Sequence, residues 1–250
     1  MIFSIIKSEI KRLFAYPLIF FLREFLPFIA ALPVPVLLWQ NATPSDTQVF
    51  WYFLFSMTAY QIFTPEPAYI SREVYDGTVT RYFLYPHSFS SIIFSRYLGY
   101  LVCQLFFGLL FIILVTAFWQ LPVTVEGFLK FLLLTPFCVG LSFLLFSLVE
   151  AVTLWLEDGW TFRVMLEVVA IFLAGRFLKL EHLPSFVEAV AQTLPFKFMA
   201  YIPSVALLNK LSWFEVSVIG FQGFAWLLVL GYVFRLFLNE GLRHFSAFGS

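Results

Sequence analysis

Long runs of uncharged, mostly apolar residues alternate with short charged islands along this chain. Tyr97–Val125 holds 29 residues without Asp, Glu, Lys or Arg. Phe25–Ser45, Thr47–Pro65, Phe131–Val149 and Val216–Phe234 are each about twenty residues long and equally uncharged. A helix rises about 1.5 Å per residue, so about twenty residues cross a hydrocarbon layer about 30 Å thick. The pattern predicts an all-α membrane protein with six transmembrane helices, at about 18–39, 48–65, 91–118, 128–155, 161–178 and 213–238. Residues 1–250 then form a single transmembrane domain, with no room for a soluble domain between spans.

Residues 2–14 carry a different pattern. Ile2, Phe3, Ile6, Ile10, Leu13 and Phe14 gather on one helical face, and Ser4, Lys7, Ser8, Lys11 and Arg12 on the other. Glu9 sits awkwardly near the apolar edge. An amphipathic helix lying in the membrane interface fits this pattern, and so does a simple extension of the first span. Pro27, Pro33 and Pro35 predict a kinked first span, and Pro65-Glu66-Pro67 ends the second. Residues 180–211 are too polar to span and too apolar for a free loop, which predicts two short helices dipping back toward the membrane.

Orientation follows from Lys and Arg near the span ends. With the N-terminus inside, ten of the 15 basic residues fall inside: Lys7, Lys11, Arg12, Arg23, Arg72, Arg81, Arg96, Arg163, Arg235 and Arg243. Lys130, Arg176, Lys179, Lys197 and Lys210 make five outside. Both termini are therefore expected in the cytoplasm. Trp39, Trp51, Trp119, Trp155, Trp160 and Trp213 lie at expected span ends, as in an aromatic belt. Arg176, near the outer end of span five, reads as an interface anchor.

Composition agrees: 61% of residues are hydrophobic and 12% charged, and the net charge is zero, which leaves no basic footprint for nucleic acid. Cys103 and Cys138 fall in apolar runs and read as packing residues. Ile2–Ile6 is followed at once by Lys7, Glu9, Lys11 and Arg12, so no signal peptide is expected there. The chain has no Gly-Lys dipeptide, hence no P-loop. His87, His182 and His244 stand apart from one another and from any metal-ligand spacing. No GxSxG elbow or HExxH helix occurs, so the chain is not expected to be an enzyme or to bind a metal or cofactor itself.

Two groups of charged residues stand out. The island at 71–90 holds Arg72, Glu73, Asp76, Arg81 and His87, and reads either as a short amphipathic helix stopped by Gly77 or as a solvated loop. Glu150 and Glu167 lie within spans four and five, with Arg163 one turn before Glu167. Intramembrane ionisable residues point to function by default. Glu150, Arg163 and Glu167 either line an inner gate or cavity, or simply pair near the cytoplasmic edge.

Three segments share a resemblance. Arg72-Glu73-x-x-x-Gly77-Thr78 with Leu84, Pro86 and Ser88 resembles the Arg-Glu-x-x-x-Gly-Thr…Leu-x-Pro-x-Ser signature of ABC-2 type permeases. The tail Gly241-Leu242-Arg243-His244-Phe245-Ser246-Ala247-Phe248-Gly249 is similar to the Gly-Leu-Arg-Arg-Tyr-x-x-x-Gly ending of a short six-span branch, with departures at His244 and Phe245. Leu194-Pro195-Phe196 with Pro203 is the third. The resemblance implies an exporter fold of the ABC-2, or type V, kind: an N-terminal interfacial helix, a cytoplasmic coupling helix at about 67–80, and re-entrant outer helices between spans five and six. It implies the permease subunit of an ATP-driven exporter in the bacterial inner membrane. Such a subunit works as a homodimer or with a paralogue, beside membrane lipids and separate ABC ATP-binding subunits that carry ATP and Mg. Arg72, Glu73, Asp76 and Gly77 would form the coupling helix and its ATPase contact. Two other readings of the apolar bulk remain: a membrane-embedded lipid- or isoprenoid-modifying enzyme, and a scaffold subunit of another membrane complex.

Overall fold

The computed structural model of the chain describes residues 2–30, 33, 37, 47–65, 69–117, 120, 122–154 and 160–244. Among these, every regular element is helical. The expected turns at 41–46 and 156–159, Pro35, and the start of the coupling helix at Pro67 lie outside the described residues.

Helix α1 covers Ile2–Leu13 and α2 covers Pro17–Ala30, with a break at Phe14–Tyr16 between them. The two are therefore separate helices, and both pack on α5 (Phe89–Thr116). Contact between α1 and α5 is close at Gly99, where an added Cβ would lie 2.9 Å from Glu9 Cβ. Helix α3 is Thr47–Phe63, and α4 is a short helix at Tyr69–Tyr75, followed by a 3₁₀ turn at Thr78–Leu84. Helix α6 runs Val125–Val152 and α7 runs Trp160–Leu173. Helix α6 starts where its sequence allows: the Thr124 hydroxyl accepts the Gly127 N–H at 3.0 Å, and Glu126 sits in the positive first turn.

The segment before the last helix holds α8 (Ser185–Thr193), α9 (Tyr201–Leu207) and two 3₁₀ turns, at Leu180–His182 and Pro195–Met199. Helix α10, Trp213–His244, opens with a Ser212–Glu215 capping box: Glu215 Oε2 accepts the Ser212 N–H at 2.7 Å, and Ser212 Oγ accepts the Glu215 N–H at 3.2 Å. It packs along α6, closely enough at Gly223 that a Cβ would meet Phe137 at 2.9 Å. Helices α5, α6 and α10 are each long and apolar enough to cross a membrane. The chain is an integral membrane protein.

Helix α7 ends five residues before the expected end of span five, at Leu173. Gly175, at φ 75°, lies in the turn that follows. The returning strand of chain runs down α3: Tyr52 Oη donates to the Gly175 carbonyl at 2.8 Å, and Ser56 Oγ to the Arg176 carbonyl at 3.3 Å. Arg176 is consequently not arranged as an anchor reaching outward. Its guanidinium lies 4.6 Å from the Tyr60 ring centroid, further along α3, and its buried Nε has no hydrogen-bond partner.

The core has two parts. The larger surrounds α3, whose faces are buried almost all round, and takes in Phe196, Phe198 and Met199 of the re-entrant segment. Lys130 ties this segment to α6: its buried ammonium donates to Asn209 Oδ1 at 2.7 Å and to the Leu211 carbonyl at 2.6 Å. Cys103 and Cys138 are buried and unpaired with each other. The smaller cluster joins Val74, Val79 and Tyr82 of the 71–90 island to Ile92, Tyr97, Phe143 and Phe234 of α5, α6 and α10.

Candidate coupling site

The 71–90 island is a packed element and not a free loop. Val74 and Val79 are buried, one in α4 and one in the 3₁₀ turn. Gly77, at φ 69°, stands in the left-handed conformation that joins them. Seven residues are far too few for a stable helix in isolation. Side chains from the long helices supply what local hydrogen bonds do not.

The first of these ties centres on Glu73. Arg96 Nη1, from α5, donates to both carboxylate oxygens at 3.0 and 2.9 Å. Arg81 Nη2 donates to Oε1 at 2.5 Å and Tyr82 Oη to Oε2 at 2.5 Å. Arg96 Nη1 also donates to Tyr82 Oη, and Arg96 Nε to Glu9 Oε2 of α1 at 3.4 Å. Glu9 in turn accepts from Arg12 Nε at 3.0 Å. Burial, with the Glu73 carboxylate accepting its proton, pushes the Tyr82 phenol up to about 12 despite the opposing Arg96 charge. Tyr82 therefore stays a donor at neutral pH. This network links α1, α4, the 3₁₀ turn and α5.

The second tie centres on Glu150. Its Oε2 accepts both the Ser71 N–H at 3.0 Å and the Ser71 hydroxyl at 2.9 Å. The first turn of a helix has unsatisfied N–H groups and a positive field, so a carboxylate borrowed from α6 caps α4. Glu150 Oε1 accepts from Arg163 Nη1 at 3.1 Å. Arg163 Nε donates to Glu167 Oε1 at 2.8 Å, and Nη2 to the Pro65 carbonyl at 2.9 Å, just past the end of α3. The guanidinium carbon also lies 4.0 Å from the Phe146 ring centroid. Arg163 and Glu150 are almost wholly buried, with side chains 1% exposed, whereas Glu167 keeps 31%. One guanidinium thus joins α3, α6 and α7, and through Glu150 reaches α4.

The structure brings Glu150, Arg163 and Glu167 into one cluster and divides the island's own charges. Glu73 points inward. Arg72 and Asp76 are open to solvent, with side chains 84% and 51% exposed and 4.0 Å between Arg72 Nε and Asp76 Oδ2. Sequence reasoning missed Arg96, Tyr82 and Glu9 as parts of the site. Signals existed for two of them. Glu9 interrupts an otherwise apolar edge of α1, and Arg96 is the only basic residue in the apolar helix α5. Each needed a partner, and each is the other's.

A comparison with curated proteins finds no match. A family model described as ABC-2 family transporter protein matches residues 45–249, which takes in the 71–90 island, the Leu194–Pro203 segment and the Gly241–Gly249 tail. With most of its length matched and apolar spanning helices, this chain belongs to the ABC-2 family of transporter proteins.

Proposed function

We propose that the chain is the permease subunit of an ATP-driven exporter in a cytoplasmic membrane, with both termini and the 66–90 island in the cytoplasm. Two permease chains form the path, and separate ABC subunits bind and hydrolyse ATP. Family membership supports the permease role, and the chain's lack of a P-loop suits a division of labour with an ATPase. Helix α4 with its following turn is the coupling element.

The observation that carries this reading is the double tie of α4 to the long helices. A force applied at Arg72 and Asp76, the exposed charges, passes through Glu73 to Arg96 and through Ser71 to Glu150 and Arg163. Two anchor points on different helices let α4 push without swivelling. Arg72 and Asp76 then contact the ATPase, Gly77 sets the turn, and Glu73 transmits the load. Glu150, Arg163 and Glu167 form the inner end of the bundle that receives it.

Affinity purification of the chain from its native membrane tests the proposal. Native mass spectrometry is expected to show two permease chains with two ATPase subunits. A complex with one permease chain, or no stable partner bearing a P-loop, refutes it.

A further inference from the structure

A cavity of about 190 Å³ lies between α3, α5 and α6. Helices α5 and α6 touch near one end, where Phe143 has its ring centroid 5.5 Å from that of Tyr97 and 4.9 Å from that of Phe94. Leu109 stands twelve residues after Tyr97, and Phe131 twelve before Phe143. That is about 18 Å further along both helices at about 1.5 Å per residue. At this level Leu109 and Phe131 line the cavity from their two helices. Helices α5 and α6 therefore meet at the Tyr97 end and leave a gap further along, with α3 as its floor. Helix α5 cannot close the gap by settling deeper on α3. At Gly108 an added Cβ would already lie 2.6 Å from Ile62 Cδ1.

The lining selects the occupant. Among the described lining residues Thr58 alone is polar, and its buried hydroxyl has no hydrogen-bond partner among the described residues. An ordered water needs about two to four polar partners, so the cavity does not suit water. An apolar cavity of about 150 Å³ takes a molecule such as benzene, so this volume admits a stretch of hydrocarbon. The floor is screened, with Thr58, Ala59 and Ile62 only 2%, 6% and 8% exposed. The rim is open: Leu109 of α5 is 58% exposed and Phe128 of α6 46%. Both belong to exposed apolar faces, which continue through Phe106 on α5 and Leu132 on α6. These helices are long and apolar enough to cross a membrane, so the medium against those faces is hydrocarbon. The cavity is a recess in the lipid-facing surface.

We infer that this cavity holds one acyl chain of a bilayer phospholipid, which enters between α5 and α6 and lies against Ala59 and Ile62 of α3. The acyl chain acts as a wedge that sets the spread of α5 and α6, the helices that carry Arg96 and Glu150. The inference rests on the spanning helices and not on the proposed coupling role. Its test needs neither ATPase nor transport, so the two stand or fall separately.

The full chain is reconstituted in phosphatidylcholine nanodiscs that contain a small share of phosphatidylcholine with a diazirine near the middle of one acyl chain. After irradiation the labelled residues are mapped by peptide mass spectrometry. Label is expected on the floor, at Ala59 or Ile62, as well as on open residues such as Phe106 and Leu132. Ala59→Phe fills the recess and is expected to cut floor labelling about tenfold while Phe106 and Leu132 label as before. Ala59→Leu inserts less and is expected to give a smaller loss, which keeps the test decisive if the Phe variant does not fold. Label confined to the open faces, with none on α3, overturns the inference. So does floor labelling that neither variant lowers. Floor labelling by a free photoreactive alkane but not by the phospholipid assigns the cavity to small apolar solutes and also overturns it.

Discussion

Removing the Arg163 guanidinium tests whether the buried cluster that joins α3, α6 and α7 is a structural unit. In Arg163→Met the side chain keeps an apolar stem of similar length but loses its bonds to Glu150, Glu167 and the Pro65 carbonyl. Glu167 is 31% exposed and is the less confined of the two carboxylates. Glu150 is 1% exposed and has nowhere to go. It keeps its two bonds from Ser71 but has lost its countercharge. Removing one partner of a buried pair costs about 3–5 kcal/mol, mostly from the charge left behind. For a chain of this length that corresponds to a fall in Tm of about 6–20 °C. The assay is thermal unfolding of the purified protein in detergent, followed by intrinsic tryptophan fluorescence. Glu150→Gln/Arg163→Met removes both charges and leaves the Gln carbonyl to accept from Ser71, so it is expected to recover at least half of the loss. The reasoning is refuted if Arg163→Met melts within about 2 °C of the parent, a shift of about 0.5–1 kcal/mol, or if the double variant is no more stable than the single.

Four further outcomes follow from the same geometry. Glu73→Ala breaks the tie to Arg96, an interaction of about 2–5 kcal/mol when buried, and is expected to uncouple ATP hydrolysis from transport in vesicles while Glu188→Ala on α8 does not; the reverse result would place the energy input elsewhere. Lys197 is 5% exposed with no ion pair or hydrogen bond among the described residues, and burial lowers its ammonium to about 8. Between pH 8 and the ordinary value of 10.5 the unfolded chain holds more protons than the folded one, so stability rises with pH through that window; Lys197→Met is expected to flatten the rise and to add about 1–3 kcal/mol at pH 7, read by melting across pH. Gly127→Ala places a Cβ 2.7 Å from the Leu207 carbonyl oxygen and 2.9 Å from that of Ala206, so backbone must move; a loss of about 1–3 kcal/mol is expected, and a neutral Tm would contradict the packing of α9 on α6. In a Cys-free background, a cysteine at Glu188 is expected to react with an impermeant reagent in intact cells and one at Arg72 only after permeabilisation; the opposite pattern inverts the topology.

Charge-free runs reveal helices, because in hydrocarbon length and polarity alone decide whether a helix survives. Phe89–Thr116 and Val125–Val152 each lie within three residues of the bounds the sequence predicts. Reversals are harder to read. Residues 174–178 are apolar apart from Arg176, and the one local stop signal there is Gly175, two residues past Leu173 and left-handed in the structure. The two hydroxyls on α3 that hold the turn are tertiary partners and leave no local trace. The candidate site was legible by residue type but not by pairing. Glu150, Arg163 and Glu167 stand out because buried charges are rare, and Arg163–Glu167 is visible at i,i+4 spacing. Glu9–Arg96 and Glu73–Arg96 span 87 and 23 residues, beyond any helical periodicity.

Stiffness is the property that the proposed coupling role asks of α4, and its sources can be ranked. Its own backbone contributes least: a seven-residue helix that ends at a left-handed glycine frays in isolation. Burial of Val74 and Val79 holds the element down but does not fix its rotation, since apolar contact has no direction. Direction comes from the two ties, which act at different points. Glu150 holds the N-terminal turn through the Ser71 backbone and hydroxyl. Arg96 holds the next residue pair along, on the α5 side, through Glu73. With either tie cut, α4 keeps one pivot and can rotate about it while remaining docked. Glu73→Ala should therefore lower coupling, Ser71→Ala should lower it less because the Ser71 N–H bond to Glu150 survives, and only a variant that strips the apolar contacts, such as Val79→Asp, should release the element. Hydrogen exchange separates these cases: the first pair is expected to raise exchange moderately at the amides of α4 alone, and the last to deprotect the whole stretch from 69 to 84.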